Sequence, residues 1–386
     1  MKKSRRMLNV QSPVIPDVAA LIRSNPGTIS LGQGVVHYPP PPQVFSAIAD
    51  FGTNITDHHY QSATGIPALR DKLIAKLREE NGLVINDNQA LVITAGSNMA
   101  FYHALLCVCD PGDEVVIISP FYFNHEMAIT MANCQPVLAR TRDDYQLDVD
   151  SVEACLSERT RAVVTISPNN PAGVVYTAEA LQHVNELCRN RGLYHFSDEA
   201  YEYFTYDGAE HFSPGSLIGT EAHTISMFSF SKSYGLASWR VGYMIIPREL
   251  LIGFEKSQDT ILICPPVISQ LAASGAMEAG SEYCREHVAK IAQVRSLCLK
   301  QLAEIKDICT VPISNGAFYF LAQLNTNIDS MTIVQRLVEE FKVAVIPGSG
   351  FGITEKCYIR IAYGALQNHT VEQGMERLVK GLRKLL

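Results

Sequence analysis

RAVVTISPNNPAG, Arg161 to Gly173, begins as a short run of apolar and β-branched residues and ends on two asparagines, a proline and a glycine. A run that is apolar at consecutive rather than alternate positions reads as a strand buried on both faces. Four more stretches share its texture: LVITAG (91–96), EVVIISP (114–120), YHFSDEAY (194–201) and HTISMFSFS (223–231). Helical patterns lie between them. PALRDKLIAKLREENG closes on Gly82, and TAEALQHVNELCRNRG opens on Thr177 and closes on Gly192. Threonine before a helix and glycine after it satisfy the backbone groups that helix ends leave free. Alternation of this kind predicts an α/β fold, a mostly parallel sheet flanked by helices.

Beyond about residue 290 the texture changes. Helical IAQVRSLCLKQLAEI leads into GAFYFLAQL, a second helix, KVAVIPGSGFG and CYIRIAYG, which predicts a small α+β domain. The turn-rich N-terminal segment with LGQGVVHYPPPP is expected to pack against it. The expected division is a large domain over 45–290 and a small one made of 1–44 and 291–386.

Of the 386 residues, 47% are hydrophobic and 18% charged, enough apolar material for a large core. A net charge of -7 gives no reason to expect a nucleic-acid partner. No apolar run approaches the roughly 18–20 residues that span a membrane. The basic start, MKKSRRMLNVQSPVIP, has no apolar stretch behind it, so a cytoplasmic N-terminus is expected rather than a signal peptide. Ten scattered cysteines form no C-x-x-C or zinc-like spacing and read as free thiols acting as small hydrophobes. His58 and His59 are adjacent, cannot share one helix face as ligands, and read as structural or solvated.

The unusual polar residues fall at strand ends. Gly96-Ser97-Asn98 follows the first strand, Phe121-Tyr122 the second and Asn169-Asn170-Pro171-Ala172-Gly173 the third. Asp198 and Tyr201 end the fourth; Ser229, Ser231 and Lys232 end the fifth, with Arg240 eight residues later. In open α/β sheets the ligand crevice lies outside the carboxyl ends of the strands. One such cluster is unremarkable, because a Ser-Gly turn is more often a simple cap; five converging on one crevice describe a site. Gly96-Ser97-Asn98 opens a helix, whose free N–H groups and dipole favour a phosphate. Arg240, Ser229 and Ser231 add charge and donors for the same anion. Asp198, set among apolar residues, needs a cationic or hydrogen-bonded partner to stay ionised, either a nearby Arg or Lys or a protonated ring nitrogen of a ligand. Lys232, crowded by cations and desolvated, would have its amine exposed as a nucleophile. A phosphate pocket, a buried carboxylate, a stacking aromatic and a nucleophilic lysine match what pyridoxal 5'-phosphate requires.

The motifs S-x-S-K with its following arginine, N-N-P-x-G, D-E-A-Y and a late Y-I-R-I occur here in one order. In this the chain resembles the class I/II aminotransferases of the fold-type-I pyridoxal-phosphate family over nearly its whole length. The resemblance implies that Lys232 bonds covalently to the cofactor and shuttles the substrate proton. It implies that Asp198 pairs with the ring nitrogen, that Asn170 and Tyr201 bond the ring oxygen, and that Tyr122 stacks on the ring. Gly96, Ser97, Asn98, Ser229, Ser231 and Arg240 would form the phosphate cup. Tyr60 is similar to a tyrosine that reaches a phosphate across a subunit interface, implying a homodimer with shared sites. Arg360 would grip the substrate α-carboxylate, with Gly34 bordering it; a guanidinium fork suits a planar carboxylate.

Two departures bear on the substrate. Many relatives read L-x-x-G-x-P-D-F near the start, whereas Val36 and His37 replace Pro and Asp in LGQGVVHYPPPP. Dicarboxylate-preferring bacterial relatives often carry lysine where this chain has Asn98, and TILICPPVISQ (260–270) holds no cation. An uncompensated second carboxylate is costly in such a pocket. QGVVH, FYFN, YEYF-x-YDG and FSFSK-x-YG resemble plant and cyanobacterial enzymes acting on aromatic amino acids and methionine. The expectation is therefore an aminotransferase for an aromatic or apolar L-amino acid and a 2-oxo acid. The alternatives are an aspartate aminotransferase, or a C–S β-lyase or other reaction on the same cofactor. A cofactor-sensing regulator would need a DNA-binding domain ahead of the α/β pattern, and S-K-S lacks the glycine spacing of a P-loop.

Overall fold

A computed structural model describes residues 3–386. The central sheet has seven strands: β1 Gln89–Thr94, β2 Glu114–Ser119, β3 Gln135–Arg140, β4 Thr160–Ile166, β5 Tyr194–Asp198, β6 Thr224–Ser229 and β7 Gly242–Pro247. Their spatial order is β1-β7-β6-β5-β4-β2-β3. β7 is antiparallel to both its neighbours, so the other six strands point the same way. Every residue of β1, β6 and β7 is buried, as runs of consecutive apolar residues require of strands covered on both faces.

β3 and β7 add to the five strands that the sequence pattern outlines. β3 lies at the sheet edge with a single buried residue, Ala139, so its apolar signal is weak. The register aligns the strand ends that matter. Asp198 pairs with Ile166 on one side and Met227 on the other, and Ser229 pairs with Gly242.

Helices α1 Pro67–Glu80, α2 Ser97–Val108, α3 Phe123–Met131 and α4 Ala178–Arg191 flank the sheet. α4 has the predicted caps: the Thr177 hydroxyl accepts from the Ala180 N–H at 3.2 Å, and Gly192 is left-handed at φ 67°. A one-turn helix, α5 Phe230–Ser233, follows β6 and carries Lys232.

α6 Val267–Leu302 spans the position near 290 where the sequence texture changes. It bends at Gly280, whose φ of 69° and ψ of -179° are accessible to glycine without a Cβ penalty. Past it, β8 Cys309–Thr310, β9 Tyr319–Leu324, β10 Ile346–Pro347 and β11 Cys357–Ala362 form an antiparallel sheet in the order β10-β11-β9-β8. Helices Ser330–Phe341 and Asn368–Leu385 cover it. Ile29–Ser30 pairs in parallel with Val343–Ala344, so the N-terminal segment does pack against this part. All ten cysteines are free, seven of them buried, as expected of small hydrophobes. Among the described residues no helix is long and apolar enough to cross a membrane.

Candidate active site

The strand ends converge. Ser97, Asn98, Tyr122, Asn170, Asp198, Tyr201, Ser229, Ser231, Lys232 and Arg240 line one cleft, together with Ile166 and Ala200. The cleft holds about 520 Å3 of empty space when its open mouth is included.

One end is built for an anion. α2 starts at Ser97, and its preceding residue Gly96 has φ 83°. A Cβ on Gly96 would sit 2.6 Å from Arg240 Nη2, so glycine lets the guanidinium lie against the helix entry. Arg240 itself is left-handed at φ 52° and donates to two backbone carbonyls, Ala237 O at 2.9 Å and Ala95 O at 3.4 Å. Among the described residues it has no carboxylate partner. Ser229 caps α5, accepting from the Ser231 N–H at 3.1 Å. A cation, two serines and a helix N-terminus facing one space suit a phosphate.

Lys232 is half-buried in the cleft lining. Its Nζ donates to Gly34 O at 2.5 Å, and it has no carboxylate partner among the described residues. Burial, then Arg240 and Arg360, push its pKa down to about 8, with Asp198 partly offsetting them. An amine in that range is available as a nucleophile near neutral pH.

Asp198 is buried, and its partner is neither Arg nor Lys. His125 Nε2 lies 3.1 Å from Asp198 Oδ2, and the Ala200 N–H donates to Oδ1 at 3.1 Å. His125 stacks on Phe101 with ring centroids 4.0 Å apart and meets the Tyr122 ring edge-on at 5.2 Å. Sequence reasoning misses this histidine; its position one turn after Tyr122 on α3 is the only available signal. Tyr122 in turn accepts from Asn124 Nδ2 at 2.8 Å.

Asn170, also lining the cleft, links two groups. Its Nδ2 donates to Tyr201 Oη at 3.4 Å, and its Oδ1 accepts from Arg360 Nη1 at 2.9 Å. Arg360 Nη2 donates to Gly32 O at 2.8 Å, while Nε is buried with no partner among the described residues. An orphaned charged donor beside a cleft is suited to an incoming anion. The guanidinium lies over the Tyr319 ring at 4.4 Å and near the Phe351 ring at 5.0 Å. Burial holds the Tyr201 phenol well above its ordinary pKa, so it stays protonated.

Two of the sequence-predicted residues stand apart. Gly34 meets the site through its carbonyl and a close approach to Tyr319. Tyr60 is 77% exposed and does not line the cleft of its own chain.

These groups fit pyridoxal 5'-phosphate: an anion cup at one end, a buried carboxylate against the sheet, a flanking aromatic and a depressed lysine. The fold is that of the fold-type-I enzymes that use it. A solved aromatic aminotransferase from Pyrococcus horikoshii OT3 superposes with a TM-score of 0.86 at 30% identity, covering 96% of this chain and all of that one. An aromatic aminotransferase, ISS1, of Arabidopsis thaliana is 34% identical over 99% of this chain and 97% of its own length. An aspartate aminotransferase of Pyrococcus abyssi is 31% identical over 95% and 94%. Residues 26–378 match the family described as aminotransferase class I and II. The chain belongs to that family and is a pyridoxal-phosphate-dependent aminotransferase, acting on amino acids and 2-oxo acids.

Proposed function

We propose that the amino donor is an L-amino acid with an aromatic or other apolar side chain, methionine included, and that nitrogen passes to a 2-oxo acid in a ping-pong cycle. One observation carries this reading. Lys232 and Arg240 are the cations among the described residues that line the cleft, and Arg360 is reached through Asn170. Each has a task, and the neutral Asn98 stands where a fourth cation would meet a second carboxylate. A dicarboxylic side chain would therefore be desolvated without compensation. The names of the Arabidopsis and Pyrococcus horikoshii relatives agree with this preference.

In this reading Lys232 would hold the cofactor covalently, and Asp198, steadied by His125, would face its ring nitrogen. Asn170 and Tyr201 would face the ring oxygen, and Tyr122 the ring. Gly96, Ser97, Asn98, Ser229, Ser231 and Arg240 would cup the phosphate. Bound there, pyridoxal phosphate supplies an aldehyde for the amine and a ring that accepts the electron pair left when the Cα proton departs. Once the substrate amine has replaced it on the cofactor, Lys232 Nζ, with its depressed pKa, would be free to take that proton from Cα and to return it two atoms along. Arg360 clamps the α-carboxylate, with Gly34 leaving room beside it. This orients the Cα–H bond toward Lys232.

The working unit in this reading is a cytoplasmic homodimer. Gln61 N–H donates to Cys264 Sγ at 3.5 Å, and exposed Tyr60, Ile261 and Leu262 lie within three residues of that contact in the chain. An apolar exposed face of this kind suits a second copy, whose phosphate Tyr60 would reach. The division into residues 45–290 and 1–44 with 291–386 belongs to this reading; the core around Phe320, Ile333, Leu337, Ile359 and Leu378 also takes in Phe123, Tyr201, Phe204 and Tyr206 from the larger part.

The test is a half-reaction screen. The holoenzyme is mixed with each amino acid and loss of its visible absorption band is followed. Phenylalanine, tyrosine, tryptophan and methionine are expected to bleach it much faster than aspartate. Aspartate matching phenylalanine would refute the donor assignment, and release of pyruvate and ammonia from cysteine conjugates without amino transfer would favour the lyase. For the dimer, Tyr60→Ala and Lys232→Ala subunits are mixed; activity above that of either parent is expected, and none would refute sharing.

A further inference from the structure

Tyr319, on β9, is fully buried and belongs to none of the roles given above. Its backbone is pinned, because the Ser314 hydroxyl donates to Tyr319 O at 2.8 Å. Its ring lies under the Arg360 guanidinium, and its hydroxyl presses on the N-terminal segment, where a Cβ on Gly34 would come within 2.6 Å of it. Among the described residues its hydroxyl has one hydrogen-bond partner, Tyr201 Oη at 2.8 Å.

A phenol oxygen has one proton to give and two lone pairs. At Tyr201 one lone pair accepts from Asn170 Nδ2. If Tyr201 gave its proton to Tyr319, the Tyr319 proton would be a buried donor without an acceptor. Tyr201 would then turn a lone pair toward the cleft that it lines. With the direction reversed, Tyr319 donates, both lone pairs of Tyr201 are filled, and the Tyr201 proton is left for the cleft.

We propose that Tyr319 is a positioning residue whose hydroxyl donates to Tyr201 and so aims the Tyr201 proton at the ring oxygen of the bound cofactor. The inference rests on the assignment of Tyr201 to that oxygen. Donation onto Tyr201 also makes its own proton a stronger donor, since hydrogen bonds in a chain polarise one another. A stronger donor at the ring oxygen stabilises its negative charge and lowers the pKa of the neighbouring covalent Lys232–cofactor bond.

The experiment titrates the visible absorption of the holoenzyme with pH, which reports the protonation of that bond independently of turnover. Tyr319→Phe removes only the hydroxyl and keeps the ring beneath Arg360. The midpoint is expected to rise by roughly 0.1–0.7 pH unit, the 10–30% strengthening of one charge-assisted hydrogen bond, while KM for amino acids stays unchanged. Tyr201→Phe is expected to raise it further, and adding Tyr319→Phe to Tyr201→Phe to do nothing more. Tyr319→Leu, which also removes the ring, is expected to raise KM as well. A midpoint that moves in Tyr201→Phe but not in Tyr319→Phe overturns the role of Tyr319 alone. A Tyr319→Phe shift that persists on top of Tyr201→Phe overturns that role too. No movement in Tyr201→Phe overturns the Tyr201 assignment and this inference with it.

Discussion

Replacing Arg360 with lysine keeps a cation and removes the fork. In the native protein one end of the guanidinium is spent on Asn170 Oδ1 and Gly32 O, and the Nε edge stays free. A compact ammonium on a flexible stem cannot serve both the protein carbonyls and two oxygens of a planar carboxylate. One charge-assisted hydrogen bond to the substrate is therefore lost, worth about 1.5–3 kcal/mol. At about 1.36 kcal/mol per decade, kcat/KM should fall roughly 10- to 150-fold. The loss should be similar for phenylalanine, methionine and every other donor, because the α-carboxylate is common to all. Cofactor content, read from visible absorption, should stay near normal. Steady-state kinetics with at least three donors checks this. A loss confined to one donor class, or loss of cofactor with normal turnover per bound cofactor, would refute the placement of Arg360 at the α-carboxylate.

Three further outcomes follow from the same geometry. In cofactor-free protein Lys232 has a pKa of about 8, below its ordinary 10.5, so the unfolded chain binds more protons between these values. This contribution makes stability rise with pH from about 8 to about 10.5, and below that window the buried charge is a full penalty. Cofactor-free Lys232→Met should thus be more stable than the parent at pH 7, with the gap narrowing toward pH 10; denaturant melts at both pH values check it. His125→Leu leaves the buried Asp198 with one of its two donors and should cost about 1–3 kcal/mol of stability, seen as a lower urea midpoint. Asn98→Lys places a cation in the cleft and should raise kcat/KM for aspartate relative to phenylalanine about tenfold or more, measured by competing the two donors.

What the chain discloses unaided is set by whether a signal is local. The five strands β1, β2, β4, β5 and β6 stand out because burial on both faces leaves consecutive apolar residues, and their polar ends mark the cleft because parallel strands finish on one edge. Thus Lys232, Asp198, Asn170 and Tyr201 can be placed together before any coordinates. β3 carries mostly accessible residues at an edge. β7 is apolar enough, but its antiparallel direction depends on where the chain crosses. The change of texture near 290 falls inside α6, whose bend at Gly280 has no signature beyond one glycine. His125 and Tyr319 are further from reach: each matters through a residue more than seventy positions away, Asp198 and Tyr201 respectively, and pairings of that kind exist only once the sheet is assembled. Asp198 illustrates the difference, since its need for a partner is evident from its apolar surroundings while the identity of that partner is not.

The covalent role of Lys232 is the claim on which the rest depends, and trapping tests it most directly. The holoenzyme is reduced with borohydride, digested and mapped by mass spectrometry. A phosphopyridoxyl group on the peptide carrying Ser231-Lys232-Ser233, absent in Lys232→Ala, is the predicted result; an adduct on another lysine, or none, would contradict it.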